Sequence, residues 1–438
     1  MRLQSEVISK GLCCGCGTCA GVCPNGAINM TLSKGLFKPE INWDLCTNCQ
    51  MCLKACPGGN LDLNELQLHV FGKKPVCRTM GNFQACYRGY ALNEKIRFNS
   101  ASGGIITQLL IFALENKIID GAIVTRMNPK KPMETQAFIA KTKEDLIDAA
   151  KSKYCPVAAN TCLSQVLKED GKYALVGLPC HINGVRKAET IIKALESKIV
   201  LKFGLLCSHT VDFAGISFLL KKLGIAEDQI RRMSYRGQGW PGYLVVETKD
   251  NYKVTVPLVA SWHAYWPLFS SFFFTPMRCT MCPDQAAELA DLSFGDAWLP
   301  EMRNDQKGAS IVISRTNRGQ QLLEAAVAAK AVVLAPLDIS RVEESQLVNL
   351  RFKKDDLPYR LSFLASMGKS TPVHNELQTG TSSISALRSM YVYSNIKATS
   401  NRGFRVLLTH VPFPVIRLYY GIYKSLCKIG KGEKTWTS

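Results

Sequence analysis

The chain is short of acidic residues. Its 438 residues include 54 lysines and arginines but only 35 aspartates and glutamates, which gives a net charge of +19. Such a surplus favours an acidic partner, an anionic membrane face or a phosphorylated ligand, and it says little about the fold. No nucleic-acid recognition motif accompanies the basic charge, so the sequence argues against a DNA- or RNA-binding protein.

The sequence also lacks a signal peptide and an uninterrupted apolar run. Residues 1–6 do not have the basic-then-apolar order of a secretory signal. Residues 256–277 contain no acid or base, but they include three prolines and His263. Because proline interrupts a helix, we expect a buried, aromatic-rich wall in this region and no membrane span.

Cysteine, by contrast, is abundant and unevenly distributed. Nine of the 18 cysteines lie within the first 56 residues. A secreted disulfide framework would spread its cysteines along the chain, whereas this clustering is typical of metal-bound thiolates. We therefore expect a protein of the reducing cytosol.

One cysteine pattern occurs twice in this region. Each copy reads C-x2-C-x2-C-x3-C-P, the spacing of bacterial proteins that carry two iron–sulfur clusters. In such proteins the first three cysteines of a copy hold one cluster and the fourth reaches the other cluster. The expected ligand sets are Cys13, Cys16, Cys19 and Cys56 for the first 4Fe-4S cluster, and Cys46, Cys49, Cys52 and Cys23 for the second.

A pair of zinc sites is the alternative interpretation, because C-x2-C also suits zinc. The even spacing of three cysteines and the proline that closes each copy favour the clusters. Cys14 does not fit the spacing and is interpreted as a spare thiol.

Beyond this repeat, short apolar strands alternate with helices, as is typical of an α/β sheet. The apolar pattern predicts strands over residues 122–124, 173–176 and 199–206, and helices over residues 105–114 and 213–223.

The predicted organisation has four parts. An α+β ferredoxin-like dicluster module (residues 1–70) is followed by a connector (71–95). A larger α/β domain (96–345) then carries an inserted antiparallel hairpin that turns at Asp250. A basic C-terminal extension (346–438) completes the chain.

Four later cysteines could form another metal centre. Cys180 and Cys207 each follow a predicted strand, and Cys279 and Cys282 form a further C-x2-C. Four thiols suffice for a third 4Fe-4S cluster. The residues alone support equally the view that Cys180 and Cys207 are small buried hydrophobic groups.

Residues 100–104, Ser-Ala-Ser-Gly-Gly, precede an apolar helix. Small residues at a helix N-terminus leave backbone N–H groups open to a phosphate. An ordinary helix cap explains the same residues equally well.

Several motifs, taken in order, resemble the beta subunit of coenzyme F420 hydrogenases and dehydrogenases. The resemblance extends from about residue 80 to about residue 300. The motifs that carry it are Gly81-Asn82-Phe83, Cys86-Tyr87-Arg88-Gly89-Tyr90, the run from Ser100 to Thr107, Ile119-Asp120-Gly121-Ala122, Ser152-Lys153-Tyr154, Gly177-Leu178-Pro179-Cys180, and the last C-x2-C followed by Ala290 to Asp296.

This resemblance implies an iron–sulfur flavoprotein oxidoreductase that binds FAD in residues 96–345. Such a protein passes electrons between a small-molecule hydride carrier, coenzyme F420 among them, and a redox partner protein (a ferredoxin or another oxidoreductase subunit). The resemblance also favours the third cluster. It places the flavin at Ser102, Gly103, Gly104 and Thr107, with Lys153, Tyr154 and Arg186 as further candidates.

Two titratable groups are candidates for proton delivery during catalysis, namely His209 and Asp296. His209 fits a satisfied loop histidine as well. A different class of function also remains open, in which the chain is a non-enzymatic subunit that relays electrons between a separate dehydrogenase and a membrane or ferredoxin partner.

The C-terminal residues 388–438 contain nine lysines and arginines and one acid, together with three tyrosines between residues 419 and 423. A basic segment with aromatic residues fits a helix that lies on an anionic membrane surface. It fits equally a docking site for an acidic ferredoxin, or a solvated helix with one stripe facing the core.

Overall fold

The computed structural model describes residues 2–259, 261–374 and 382–429. Its strands are β1 (Ile28–Ser33), β2 (Leu36–Ile41), β3 (Ala85–Ala91), β4 (Gly121–Met127), β5 (Thr135–Ala140), β6 (Tyr173–Gly177), β7 (Ile199–Leu205), β8 (Ile230–Ser234), β9 (Tyr243–Thr248), β10 (Lys253–Pro257), β11 (Leu292–Asp296), β12 (Ser310–Ser314) and β13 (Val332–Pro336).

The α-helices of the same residues are α1 (Thr18–Gly21), α2 (Met51–Lys54), α3 (Leu63–Phe71), α4 (Glu94–Asn99), α5 (Ile105–Glu115), α6 (Lys143–Asp148), α7 (Leu163–Lys168), α8 (Pro179–Ile191), α9 (Lys193–Lys198), α10 (Phe213–Lys222), α11 (Trp266–Ser270), α12 (Asn317–Ala328), α13 (Ile339–Ser345), α14 (Leu347–Leu350), α15 (Leu357–Ser366), α16 (Ser383–Ser400), α17 (Arg402–His410) and α18 (Phe413–Lys428). Short 3-10 turns span Ala159–Cys162, Glu227–Gln229, Met277–Met281 and Pro300–Met302, and π-helical turns span Gln4–Ile8 and Arg351–Asp355.

The larger domain is built on an eight-stranded sheet with the order β13-β3-β12-β11-β7-β6-β4-β5. Its centre is parallel, because β11 pairs parallel to β7, β7 to β6, and β6 to β4. One hydrophobic core joins the sheet to α5 and α12. A second core joins it to α7, α8 and α3, so helices cover both faces, as expected where buried parallel strands form the centre.

The N-terminal module contains the antiparallel hairpin β1–β2, in which Ile28 pairs with Ile41. The short helices α1 and α2 each follow a cysteine loop. Gly17 and Gln50 cap these helices in the left-handed conformation, with φ of +83° and +62°. These turns let the backbone wrap around a compact centre. The predicted order of a dicluster module followed by an α/β domain is confirmed.

The structure corrects two details of the predicted organisation. The predicted hairpin, β9 paired with β10, forms, but it is not part of the main sheet; it joins β8 in a separate three-stranded sheet. Strand β3 lies inside the predicted connector 71–95 and pairs with both β12 and β13. The sheet of the larger domain therefore begins before residue 96.

The predicted aromatic wall is largely buried, with Phe269 and residues 272–274 inside the protein and Trp262 exposed. No helix among the described residues has the length and hydropathy that a bilayer crossing requires. The predicted C-terminal extension is not a separate body, because α14 and the π-helical turn at Arg351–Asp355 pack onto the larger domain. Residues 375–381 and 430–438 of that extension lie outside the described residues.

The N-terminal module is closely docked on the larger domain. The side-chain amide of Asn160 donates to Thr18 Oγ1 at 2.8 Å, and its backbone N–H donates to the Cys16 carbonyl at 3.0 Å. Arg278 donates to the carbonyls of Leu12 and Gly58 at 2.9 and 3.0 Å. These bonds hold the cysteine loops against the 3-10 turn Ala159–Cys162 and against the last C-x2-C.

A methyl group at Gly21 is expected to disturb this docking. A Cβ at this position would lie 2.0 Å from the Asn160 carbonyl oxygen and 2.9 Å from Leu163 Cβ. We therefore expect Gly21→Ala to destabilise the holoprotein by about 1–3 kcal/mol, as overpacking does. The midpoint of thermal unfolding, followed by circular dichroism, measures the effect.

Gly421→Ala is the matched control, because nothing lies within 4 Å of a Cβ at this helical position. Its unfolding midpoint should stay equal or rise slightly, since alanine favours a helix. Equal midpoints for Gly21→Ala and the unmodified protein would contradict the close docking.

Candidate active site and electron-transfer centres

The eight cysteines of the N-terminal repeat line two separate cavities of about 310 and 530 Å³. The smaller cavity is lined by Cys13, Cys16, Cys19 and Cys56, and the larger by Cys23, Cys46, Cys49 and Cys52. In each cavity three cysteines come from one copy of the repeat and the fourth from the other copy. These are the two sets expected for a pair of iron–sulfur clusters.

Backbone N–H groups point at several of these sulfurs. The N–H of Gly15 donates to Cys13 Sγ at 3.4 Å, and that of Gly58 donates to Cys56 Sγ at 3.3 Å. Burial raises the pKa of Cys13 to about 12 and that of Cys56 to about 11. Such thiols lose their protons when a metal takes the place of the proton, and hydrogen bonds to the sulfurs then tune the potential.

Among the described residues, no three His, Cys, Asp or Glu side chains are arranged to ligate a single metal ion. The ligands of a cubane are attached to different iron atoms, so they surround a volume and do not converge on one point.

The four later cysteines share one cleft of about 980 Å³, measured to its open mouth. Cys180 lies in the first turn of α8 and Cys207 lies just beyond β7. Cys279 and Cys282 lie in and directly after the 3-10 turn Met277–Met281. The structure thus brings together thiols from three segments that are distant in sequence.

A buried cation stands beside this cleft. Lys353 is 2% exposed, and its Nζ donates to the Cys279 carbonyl at 3.2 Å. Burial raises the pKa of Cys207 to about 12, and the positive charge of Lys353 opposes that rise. Lys353 is therefore placed to offset the negative charge of thiolates bound to a metal.

Cys14 lies between the smaller N-terminal cavity and the cleft, and it lines both. Its side chain shares hydrogen bonds with Cys16 and Cys180, which lower the pKa of Cys14. The docking of the two domains places Cys14 between two groups of candidate ligands, and its interpretation as a thiol outside the ligand sets stays a prediction.

A second polar centre forms around Arg236, which sequence reasoning did not find. This guanidinium donates to Tyr154 Oη at 2.9 Å and to the carboxylate oxygens of Asp296 at 3.0 and 3.2 Å. It also donates to the Ala101 carbonyl, in the loop that precedes α5. Trp240 Nε1 donates to Asp296 at 3.0 Å.

Arg236 thus joins three segments that were separate candidates. The signal that could have revealed it is the run Gly237-Gln238-Gly239-Trp240-Pro241-Gly242, whose three glycines all have positive φ. Such a run between two strands marks a loop of special shape, as functional loops often are.

The loop before α5, which carries Ala101, is itself held by hydrogen bonds to Ala309 and Ser310. Ser102 Oγ donates to the Ala309 carbonyl at 2.7 Å, and the Gly103 N–H donates to Ser310 Oγ at 3.1 Å. A Cβ on Gly103 would lie 2.6 Å from the Gly89 carbonyl oxygen, so only glycine fits. Gly104 caps α5 with a φ of +77°, and Thr107 is buried in the first turn of the helix.

Asp296, the loop before α5 and Cys207 lie along the same edge of the main sheet. Asp296 and Gly89 both pair with Ser310, so the loop before α5 lies one strand away from Asp296. On the other side, Phe294 pairs with Leu205, so Asp296 and Cys207 each lie two residues beyond a paired position on parallel strands. Neighbouring strands are about 4.8 Å apart. The Arg236 centre and the cysteine-lined cleft are therefore adjacent.

Lys153 and Arg186 do not reach this centre. Lys153 donates to the carbonyls of Ala149, Ala150 and Lys151, and burial lowers its pKa to about 7.

Arg186 donates to the Leu289 carbonyl and pairs with Glu189 and Asp291 at 3.1 and 3.3 Å in a buried ion network. Its partners are groups of the protein itself, and they stabilise α8 against the sheet.

His209 lies in the wall of the cleft. Its ring nitrogens are bonded to the Ser208 hydroxyl at 2.9 Å and to the Phe269 carbonyl at 3.1 Å. Burial lowers the pKa of His209 to about 4, so the ring is neutral near pH 7. Because that carbonyl can only accept, the Nε2 atom carries the proton, and both ring nitrogens are bonded within the protein; a role of His209 in proton delivery stays a prediction.

Paired thiol cavities, a third cysteine-lined cleft and a polar centre on one sheet edge are the parts of an iron–sulfur electron-transfer protein. Residues 12–60 match the 4Fe-4S dicluster domain. Residues 86–164 match the N-terminal part of the coenzyme F420 hydrogenase/dehydrogenase beta subunit, and residues 170–340 match its C-terminal part. The chain belongs to the coenzyme F420 hydrogenase/dehydrogenase beta subunit family, which confirms the resemblance seen in the sequence.

Among its relatives is the coenzyme F420 hydrogenase subunit beta of Methanothermobacter thermautotrophicus, 28% identical over 301 residues, which are 67% of this chain and 99% of that subunit. The coenzyme F420-dependent sulfite reductase of Methanocaldococcus jannaschii is 28% identical over 370 residues, which are 80% of this chain and 51% of the reductase. The chain thus spans about half the length of that enzyme.

A chain of the F420-reducing [NiFe] hydrogenase complex from Methanosarcina barkeri has a similar fold. The TM-score is 0.52 at 23% sequence identity, over 68% of this chain and 98% of that chain. The likeness supports the predicted mixed α/β fold of the larger domain.

Proposed function

We propose that this chain is an iron–sulfur flavoprotein oxidoreductase that moves electrons between a small-molecule hydride carrier and a one-electron redox protein. The observation that carries this proposal is the adjacency of the Arg236 centre and the cysteine-lined cleft at one sheet edge. Coenzyme F420 is the first carrier to test, because relatives are named for their action on it.

FAD is the proposed group at the Arg236 centre. The Nε atom of Arg236 is buried and has no hydrogen-bond partner among the described residues, so one donor remains for a ligand. Gly104 begins the N-terminus of α5, which is the proposed position of a phosphate; Ser102 and Gly103, bonded to Ala309 and Ser310, shape the loop in front of it, and Thr107 lies behind. When bound, a flavin exchanges two electrons with a hydride carrier and single electrons with iron–sulfur clusters.

Tyr154 and Asp296 are positioning residues in this proposal. Both are held by the same guanidinium, so they fix its plane and with it the direction of the remaining donor. Asp296 accepts two bonds from Arg236 and one from Trp240, and this arrangement suits a fixed anchor better than a group that transfers protons.

A third 4Fe-4S cluster is the proposed group in the cleft, with Cys180, Cys207, Cys279 and Cys282 as its ligands. Lys353 supports the site, because it is a buried cation against the Cys279 backbone. Cys14 would then lie between the third cluster and the first, because it lines both cavities.

The second N-terminal cavity is the proposed exit toward the redox partner. Cys49 is exposed there, and Trp43 and Leu45 nearby are 52% and 49% exposed. Exposed apolar side chains beside a metal site are typical of a surface that docks another protein.

The alternative is a relay subunit that carries electrons between two other proteins and has no flavin of its own. Such a relay needs only the clusters. The Arg236 centre favours the enzyme, because its guanidinium gathers three distant segments beside the cleft and its Nε has no partner among the described residues.

The iron content of the anaerobically purified protein tests the third cluster. Three clusters require about twelve irons per chain. We expect Cys279→Ser to lower the count to about eight, because one ligand of the third cluster is lost. Iron analysis together with electron paramagnetic resonance measures both the number and the type of clusters.

Cys162→Ser is the matched control, since Cys162 is half-buried and lines none of the three cavities. It should keep the full iron content. An unchanged count in Cys279→Ser would remove the third cluster from the proposal.

Flavin content tests the Arg236 centre. We expect Arg236→Lys to keep its iron and to lose most of its FAD, because lysine cannot hold Tyr154, Asp296 and Ala101 with one planar group. The measurement is the flavin released on denaturation per chain.

Arg186→Lys separates the two buried arginines, because Arg186 has only protein partners. This variant should retain FAD at the level of the unmodified protein. Loss of FAD from Arg186→Lys with retention in Arg236→Lys would move the flavin site, and absence of flavin from the unmodified protein would favour the relay.

The reduction potentials of the clusters test the position of Cys14. We expect Cys14→Ala to keep the full iron content and to lower the potential of the first or the third cluster, because it removes an S–H group that lines both cavities and can donate to a ligand thiolate. A bond of about 1.5 kcal/mol corresponds to roughly 60 mV for one electron. A redox titration followed by electron paramagnetic resonance measures this shift, and potentials equal to those of Cys162→Ser would contradict it.

A further inference from the structure

Helix α18 is apolar on two opposite faces. Its inner face buries Ile416, Tyr423 and Cys427 against the protein. On its outer face Leu418 and Ile422 are 63% and 55% exposed. A surface helix normally buries its apolar face and presents polar residues to water, so the aliphatic outer face of α18 lacks a covering layer among the described residues.

The same pattern extends to the preceding helix α17. We call the exposed aliphatic side chains of the two helices the outer stripe: Val406, Leu407, Val415, Leu418, Ile422 and Ile429. Each of these side chains is at least 50% exposed. Val415, Leu418, Ile422 and Ile429 recur at helical spacing, so they share one face, and exposed apolar surface of this kind marks a site of interaction with a membrane or another molecule.

The charge around the outer stripe has one sign. Residues 388–429 contain no acid and seven basic residues, namely Arg388, Lys397, Arg402, Arg405, Arg417, Lys424 and Lys428. Arg388 forms an ion pair with Asp356. Burial, with repulsion from Lys428 and Arg417, lowers the pKa of Lys424 to about 8.

An exposed tryptophan lies beside this helix. Trp262 is 57% exposed, and the Arg417 guanidinium lies over its ring at 5.2 Å. Arg417 also donates to the carbonyls of Val259 and Ser261, so the loop that carries Trp262 is fixed to α18. Tryptophan and arginine together are typical of the interface between a bilayer and water.

We propose that the outer stripe docks this protein on the surface of an anionic lipid bilayer. The aliphatic side chains would enter the boundary between head groups and acyl chains, while the lysines and arginines contact the lipid phosphates. Helix α18 has 16 residues and is about 24 Å long, which is too short to cross the bilayer core.

A protein partner fits this surface less well. Protein interfaces are enriched in aromatic residues and methionine and are depleted of lysine. The exposed apolar side chains of α17 and α18 are aliphatic, with the single tryptophan Trp262 beside α18, and the last turns of α16 and α18 carry lysines. An acidic ferredoxin would pair with the charges but would leave the aliphatic side chains without a match.

The test is cosedimentation of the full-length holoprotein with lipid vesicles. We expect binding to vesicles of phosphatidylcholine mixed with phosphatidylglycerol, little binding to phosphatidylcholine alone, and weakening as salt is added. The double variant L418E/I422E should lower the partition coefficient at least about tenfold, because two aliphatic anchors become charged.

The matched control is I147E/V327E, which changes two aliphatic side chains of similar exposure (47% and 41%) on other helices. It should bind vesicles as the unmodified protein does. Iron content and circular dichroism check that each variant folds, and K424Q/K428Q, which leaves the apolar surface intact, should weaken the preference for phosphatidylglycerol.

Several results would overturn the proposal. The first is that the unmodified protein stays in solution with phosphatidylglycerol vesicles at low salt. The second is that the L418E/I422E variant binds the vesicles as strongly as the control variant does. Light scattering that shows a dimer, made monomeric by L418E/I422E and indifferent to vesicles, would instead assign the outer stripe to a second copy of the chain.

Discussion

The parallel centre of the main sheet is the constraint on which the site depends. Strands β6, β7 and β11 run in the same direction, so the residues that follow them must emerge side by side. Cys180, Cys207 and Asp296 occupy these ends, although more than a hundred residues separate the first from the last. The carboxyl edge of an open α/β sheet is the usual place for a ligand crevice. In this protein the four cysteines of the cleft and the Arg236 centre both lie at that edge.

The parts of the site that the sequence predicts are those whose residues lie close together in the chain at a regular spacing. The spacing of the N-terminal cysteines is short and regular, since a cubane needs thiols at fixed intervals, so their two groups could be read from the sequence. The alternation of strands and helices likewise gave the strands near Ala122, Tyr173 and Ile199. Hairpin β9–β10 was found from its turn, but pairing with β8 depends on contacts that no local pattern records.

The parts that escaped prediction are those made by docking. The role of Arg236 depends on its hydrogen bonds to Ala101, Tyr154 and Asp296, which lie in three other segments of the chain. Cys14 looks superfluous within its own motif, and only the docking of the N-terminal module against α8 brings it to Cys180. Arg186 shows the converse, because a motif position that resembles a cofactor ligand turns out to serve a buried ion network.

The C-terminal helices reach the wall of the cysteine-lined cleft through a cluster of aromatic rings. The ring of Phe272 lies 4.7 Å from that of His209 in the wall of the cleft and 5.1 Å from that of Tyr423 on the inner face of α18. Phe352, one residue before Lys353, packs against both Phe272 at 4.7 Å and His209 at 6.2 Å. The extension therefore excludes water from the proposed third cluster with its inner face. The exclusion of water from the cleft explains why the inner face of α18 is apolar. It does not explain the aliphatic outer face, which requires a contact outside the chain.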